Sequence, residues 1–198
     1  MDLFDDKIIL ELPQAEISYF PNFLSKKEAS NLFTKLKETV PWQQDNIKVF
    51  GKTYAQPRLT SLYANNEKPY SYSNITMYPH RFKDDLLDIK EKVEHLTEYE
   101  FTTCLLNLYR NGKDSNGWHA DDEKELGINP VIASISLGQE RYFHLRYKED
   151  KSLKHKILLA HGSLLLMKGE TQHHWQHQIA KTARKIGERI NLTFRIIK

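Results

Sequence analysis

The sequence predicts an α+β protein in which helices come first and an antiparallel β unit follows. Two amphipathic helical periods lie in the first half. After Tyr99 the chain turns to short β-branched and aromatic runs separated by turn residues, as in a barrel or sandwich. With helices segregated from strands, the β unit is expected to carry the chemistry.

Each element has a local cause. Ser25-Lys26-Lys27-Glu28 has capping-box spacing, in which the Ser hydroxyl and the Glu carboxylate satisfy free backbone donors at a helix start. Ala29, Leu32, Phe33, Leu36 and Val40 then recur at helical intervals until Pro41 stops the helix. A second helix is predicted from about Asp84 to Thr97, where Leu86, Ile89, Val93 and Leu96 repeat. Strands are predicted at 101–110, 131–137, 141–147, 156–160, 163–167 and 189–197.

The 198 residues show no solenoid repeat, low-complexity tract or linker, so one domain over 1–198 is expected. No apolar run approaches the roughly 20 residues a membrane-spanning helix needs. The acidic start Met1-Asp2-Leu3-Phe4-Asp5-Asp6 is unlike a signal peptide, so the cell interior is expected. Without a nuclear-localisation run or disordered tail, the first choice is a bacterial cytoplasm, with the nucleus if the source is eukaryotic. The lone Cys104 sits in an apolar run and reads as a buried, inert thiol. The net charge of +3 is mild but uneven. Lys181, Arg184, Lys185, Arg189, Arg195 and Lys198 crowd the last 22 residues, which suits either a solvated face or contact with nucleic acid.

Three constellations carry chemistry. In Phe101–Arg110, alternation puts Phe101, Thr103, Leu105, Asn107 and Tyr109 on one face. The opposite face is also mainly apolar, so Asn107 and Tyr109 either point inward and need partners there or reach water at the strand end. Past Asn111-Gly112, His119 and Asp121 stand two apart, and in extended backbone both can meet one ion. A third ligand is available from Gln172-His173-His174-Trp175-Gln176-His177, and the residues alone do not choose among the three His. Two His and one carboxylate leave open positions, which suits non-haem Fe(II) better than zinc beside an arginine-bearing strand. That strand reads Arg189-Ile190-Asn191-Leu192-Thr193-Phe194-Arg195-Ile196, with Arg189, Asn191, Thr193 and Arg195 on one face. The face is either the wet side of an edge strand or a pocket wall in which Arg189 grips a carboxylate bidentately and Thr193 adds a hydroxyl. Iron beside a fixed carboxylate clamp points to a 2-oxo acid co-substrate.

Together these segments resemble the AlkB-type Fe(II)/2-oxoglutarate dioxygenases over nearly the whole chain. Asn107-Leu108-Tyr109-Arg110-Asn111-Gly112 resembles that family's N-x-Y-x-x-G, and His119-Ala120-Asp121-Asp122-Glu123 its H-x-D-D-E. Ala160-His161-Gly162-Ser163-Leu164-Leu165-Leu166-Met167 resembles its H-G-S-L-L-x-M, and His174-Trp175-Gln176-His177 its H-W-x-H; Arg189 to Arg195 reads R-x-N-L-T-F-R. Val49-Phe50-Gly51-Lys52 and Pro57-Arg58 also resemble the duplex-DNA repair branch.

The resemblance implies a double-stranded β-helix (jelly-roll) over about 99–198, with about 1–98 forming a helical and nucleotide-recognition part. It implies Fe(II) on His119, Asp121 and His177, and 2-oxoglutarate held by Arg189 with Asn107, Tyr109, Thr193 and Arg195; His161 is left as structural. Dioxygen would be the second co-substrate. Substrate contacts would come from Phe50, acting as a wedge, with Gly51 and Lys52, and from Tyr70, Tyr72, Asp122 and Glu123. Lys181, Arg184 and Lys185 would follow the DNA backbone. The implied activity is oxidative demethylation of 1-methyladenine and 3-methylcytosine in duplex or single-stranded DNA by a monomer. Alternatives are the same chemistry on RNA, on protein or on a small molecule, or a non-catalytic binder of damaged DNA.

Overall fold

The computed structural model describes residues 6–49, 52–72 and 75–197. In chain order the first half holds β1 (Ile8–Leu10), β2 (Glu16–Phe20), α1 (Lys26–Thr39), β3 (Asn46–Val49), β4 (Lys52–Ala55), β5 (Leu59–Ala64), β6 (Tyr70–Tyr72), β7 (Ile75–Met77), β8 (His80–Arg81) and α2 (Asp84–Thr97). The second half holds β9 (Thr103–Tyr109), β10 (Asn116–His119), β11 (Ile132–Gly138), β12 (Arg141–Tyr147), β13 (Lys154–Leu159), β14 (Ser163–Lys168), α3 (Thr171–His174), β15 (Trp175–Ile179) and β16 (Arg189–Arg195).

The helices form where their patterns placed them. Ser25 Oγ accepts from Glu28 N at 3.2 Å and Ser25 N donates to Glu28 Oε2 at 2.9 Å, so the capping box closes. Val40 is extended because the Pro41 ring disfavours helical backbone before it. Leu32 and Leu36 of α1 and Ile89 and Val93 of α2 enter one core with Cys104, Leu106, Ile135, Leu192 and Phe194.

Two sheets make the jelly-roll. The larger runs β1-β2-β14-β11-β16-β9-β5-β8 and the smaller β10-β15-β12-β13. All pairings are antiparallel except the short parallel contact of β5 with β8. A second core, including Tyr109, Ile132, Phe143, Leu145, Met167 and Trp175, fills the space between the sheets.

Two features go beyond the sequence reading. The first 98 residues, read as helices and a hairpin, also supply β1, β2, β5 and β8 to the larger sheet. Leu59-Thr60-Ser61-Leu62-Tyr63-Ala64 is too short and too mixed to show a period of two. Second, β16 is no edge strand: it lies between β11 and β9, and every residue from Arg189 to Arg195 is buried. Its apolar side chains face the helix-covered core, and its polar ones face the smaller sheet.

Candidate active site: a histidine–carboxylate triad facing an arginine cradle

The side chains that could hold an ion come from the smaller sheet and the loop that follows β10. His119 ends β10 and is the cross-strand partner of His177 on β15, so pairing alone brings the rings together with centroids 4.2 Å apart. Asp121 lies two residues beyond β10. Ligand atoms of His119, Asp121 and His177 all lie within 4.8 Å of one another, the one such His/Cys/Asp/Glu group among the described residues. His173 instead meets Asn129 Oδ1 at 2.9 Å, and His174 stacks on Tyr147 with centroids 6.1 Å apart.

Electrostatics prepare this triad for a cation. Burial raises the Asp121 pKa, but Arg195, His177 and His119 outweigh it and bring it down to about 2. Arg195 Nη2 reaches both Asp121 carboxylate oxygens at 3.0 Å. Burial pushes His177 down to about 3, aided by His119 and opposed by Asp121; burial also lowers His119, against Asp121 and the Gly117 carbonyl. At neutral pH the site therefore offers two neutral imidazoles and a carboxylate. His119 Nδ1 lies 2.8 Å from Gly117 O, a contact that requires the Nδ1–H tautomer and makes Nε2 the unprotonated nitrogen; Asn116 Nδ2 donates to it at 3.2 Å, and a metal at Nε2 would take that donor's place.

The larger sheet supplies the opposite wall. Arg189 is 1% exposed, and its Nη2 donates to Ser136 Oγ at 2.8 Å. Its Nε and Nη1 are buried without a hydrogen-bond partner. Burial lowers its pKa to about 10, with Arg141 adding to the fall and Tyr109 opposing it, so it remains a cation at neutral pH. Tyr109 lies between the guanidinium carbons of Arg189 and Arg141, at 5.2 and 5.8 Å from its ring centre. A buried guanidinium with two idle donors is the complement of a carboxylate. Asn107 Oδ1 accepts from Arg58 Nε at 2.7 Å, and Thr193 Oγ1 donates to Asn191 Oδ1 at 2.9 Å. One cleft is lined by the triad together with Asn107, Tyr109, Arg189, Thr193 and Arg195.

The remaining sequence-derived residues lie elsewhere. Asp122 is exposed and meets Lys148 Nζ at 3.0 Å; Glu123 holds a buried Oε2 with no hydrogen-bond partner and a carboxyl raised by burial and by Asp121. Neither lines the cleft. Lys181, Arg184 and Lys185 are exposed between β15 and β16. Lys52 is exposed on β4, while Phe50 and Gly51 lie outside the described residues, as do the side chains of Tyr70 and Tyr72. His161 sits apart from the cleft, accepting from Gly138 N at 2.9 Å and meeting Ser30 Oγ at 3.1 Å. Sequence reasoning passed over Arg58, Ser136 and Gln172 as site residues. Arg58 stood in a quoted segment, whereas Gln172 was overshadowed by the histidines after it.

The model of the 2OG-Fe(II) oxygenase superfamily matches residues 16–195. The chain belongs to that superfamily. Its relatives include alpha-ketoglutarate-dependent dioxygenase alkB homolog 3 of Bos taurus, 45% identical over 89% of this chain and 64% of the relative, and that of Homo sapiens, 42% identical over 92% and 66%. The chain thus spans a little under two thirds of those proteins. DNA oxidative demethylase ALKBH2 of Homo sapiens is 35% identical over 87% of this chain and 70% of the relative. The solved structure of OsALKBH1 shares the fold, with a TM-score of 0.70 at 14% identity, covering 96% of this chain and 100% of that one. The superfamily's iron and 2-oxoglutarate fit the residues present. Two imidazoles and a carboxylate suit iron, and the idle donors of Arg189 suit the co-substrate's far carboxylate.

Proposed function

We propose that this oxygenase is an oxidative demethylase of N-alkylated bases in DNA, with 1-methyladenine and 3-methylcytosine as substrates. The observation that carries the reading is the single cleft that joins the triad to the unpartnered Arg189 donors. The names of the relatives, dioxygenases and DNA oxidative demethylases, supply the substrate class.

Iron held by His119, Asp121 and His177 would supply the oxidising chemistry: 2-oxoglutarate and dioxygen become succinate and CO2, and one oxygen atom enters the methyl C–H bond. Hydroxylation on a carbon attached to nitrogen leaves an adduct that expels formaldehyde and returns the base. The chain's part is to bind and orient. Arg189 would hold the far carboxylate, Asn107, Tyr109, Thr193 and Arg195 would stand around the remaining oxygens, and Arg195 keeps Asp121 ionised. Glu123, two residues past Asp121 and outside the cleft's lining, keeps a buried oxygen without a partner, an acceptor suited to a base that carries positive charge and an exocyclic amino donor. A methyl that blocks Watson–Crick pairing also lowers the cost of extruding that base.

The test is reconstitution with Fe(II) and 2-oxoglutarate, then air, on methylated duplex DNA, single-stranded DNA and RNA, with mass spectrometry following the methyl. Loss of the methyl mass from DNA, dependent on both cofactors and abolished in His119→Ala, is expected. Succinate formation without methyl loss from DNA would place the substrate elsewhere. Phe50→Ala is expected to lose more activity on duplex than on single strands; equal loss would remove Phe50 from its wedge role.

A further inference from the structure

Strand pairing registers only two of the three metal-binding side chains. His119 and His177 are cross-strand partners at the end of the β10–β15 pairing, past a register irregularity between Asn116 and His119, and that pairing sets their separation. Asp121 stands beyond the end of β10, where no ladder reaches it. Its backbone N–H is instead taken by a side chain: Asp121 N donates to Gln172 Oε1 at 2.9 Å, and both residues are 1% exposed.

Gln172 is itself held from three sides. It lies on α3, immediately before the strand that carries His177. Its backbone oxygen accepts from Lys148 Nζ at 2.9 Å, and the same ammonium meets Asp122 Oδ2 at 3.0 Å. Its Nε2 faces Met167 Sδ at 3.6 Å, against a wall of the cleft. The segment bearing one imidazole ligand thus reaches across to fix the backbone of the carboxylate ligand.

We propose that Gln172 is a positioning residue for the metal centre, its side-chain carbonyl replacing the missing strand contact and setting where the Asp121 carboxylate stands relative to His177. Without that acceptor, Asp121 is steered only through Arg195, which pulls on the carboxylate but leaves the backbone unregistered. A buried amide also needs partners for structural reasons alone. The two roles separate by readout: a purely structural Gln172 affects the stability of the metal-free protein and leaves the affinity of the folded site unchanged.

Mn(II), a redox-silent probe of the iron site, is titrated into the metal-free 198-residue chain and followed by electron paramagnetic resonance, beside thermal melts without metal. Gln172→Met, similar in size without the carbonyl, is expected to weaken Mn(II) binding by about 10- to 100-fold, the range seen when a group that orients a ligand is removed. Gln172→Glu keeps an acceptor and is expected to bind within about threefold of wild type. A Gln172→Met affinity within twofold of wild type, or a Gln172→Glu as weak as Gln172→Met, overturns the proposal. If Gln172→Met does not fold, Gln172→Asn, a methylene too short to reach Asp121, is held to the same criterion. The proposal rests on the metal reading of the triad and not on the DNA substrate; wild-type protein that takes up no Mn(II) would overturn it together with that reading.

Discussion

Arg189 concentrates the site's energetics in one residue. A cation whose pKa is lowered by burial opposes folding at every pH below about 10, and that opposition fades only as the pH climbs beyond that value towards the ordinary guanidinium range. Replacing it with Met should leave the ligand-free protein as stable as wild type or more so, because removing a buried, half-partnered charge relieves desolvation. The same variant should lose the rise in Tm that 2-oxoglutarate produces with Mn(II) present; a persistent rise would remove Arg189 from the clamp. In the wild type, co-substrate affinity should hold from neutrality upwards and fall as the pH rises through about 10. Arg189 was legible because its strand alternates polar and apolar without a break. Among the three histidines the residues alone could not choose, since His173, His174 and His177 differ in where strand pairing puts them, which no local pattern records.

Among the elements, α1 gives the sharpest test. Glu28 is drawn down to about 2 by the Ser25 hydroxyl, the Ser25 backbone N–H and Lys92. A lowered carboxylate stabilises above its ordinary value of 4.5 and loses that contribution as the pH falls towards 2. Urea denaturation should therefore show a gap between wild type and Glu28→Ala near neutrality that closes through this window. Ser25→Ala should cost about 1 kcal/mol. Both helices and the strands of the second half could be read from the sequence, because capping, 3.6-residue periods and apolar runs act locally. β2 and β5 could not, since their edges are completed by β14 and β9, which lie far away along the chain. Nor could the pocket role of Arg58, which depends on Asn107 arriving from the neighbouring strand.

Over the whole molecule, the two sheets divide the work. The triad proposed to hold the metal belongs to the smaller sheet and its flanking loop, and the proposed carboxylate clamp belongs to the larger. A co-substrate that chelates the ion at one end and meets Arg189 at the other would tie the sheets together. Mn(II) and 2-oxoglutarate added jointly should thus raise Tm by more than the sum of their separate effects. Simple additivity would mean that the two sites do not share a ligand. The sequence motifs gave the members of each wall, but their facing one another is a property of the closed fold.

The single sulfhydryl offers a clock for that closed fold. Cys104 lies within the larger sheet, fully buried on the helix-covered side of β9, and burial raises its pKa well above that of a free thiol. A disulfide reagent can reach it only when β9 parts from its neighbours, so the labelling rate reads how often the sheet opens. Ligands that clasp the two sheets should slow that rate, so the labelling rate reports their occupancy.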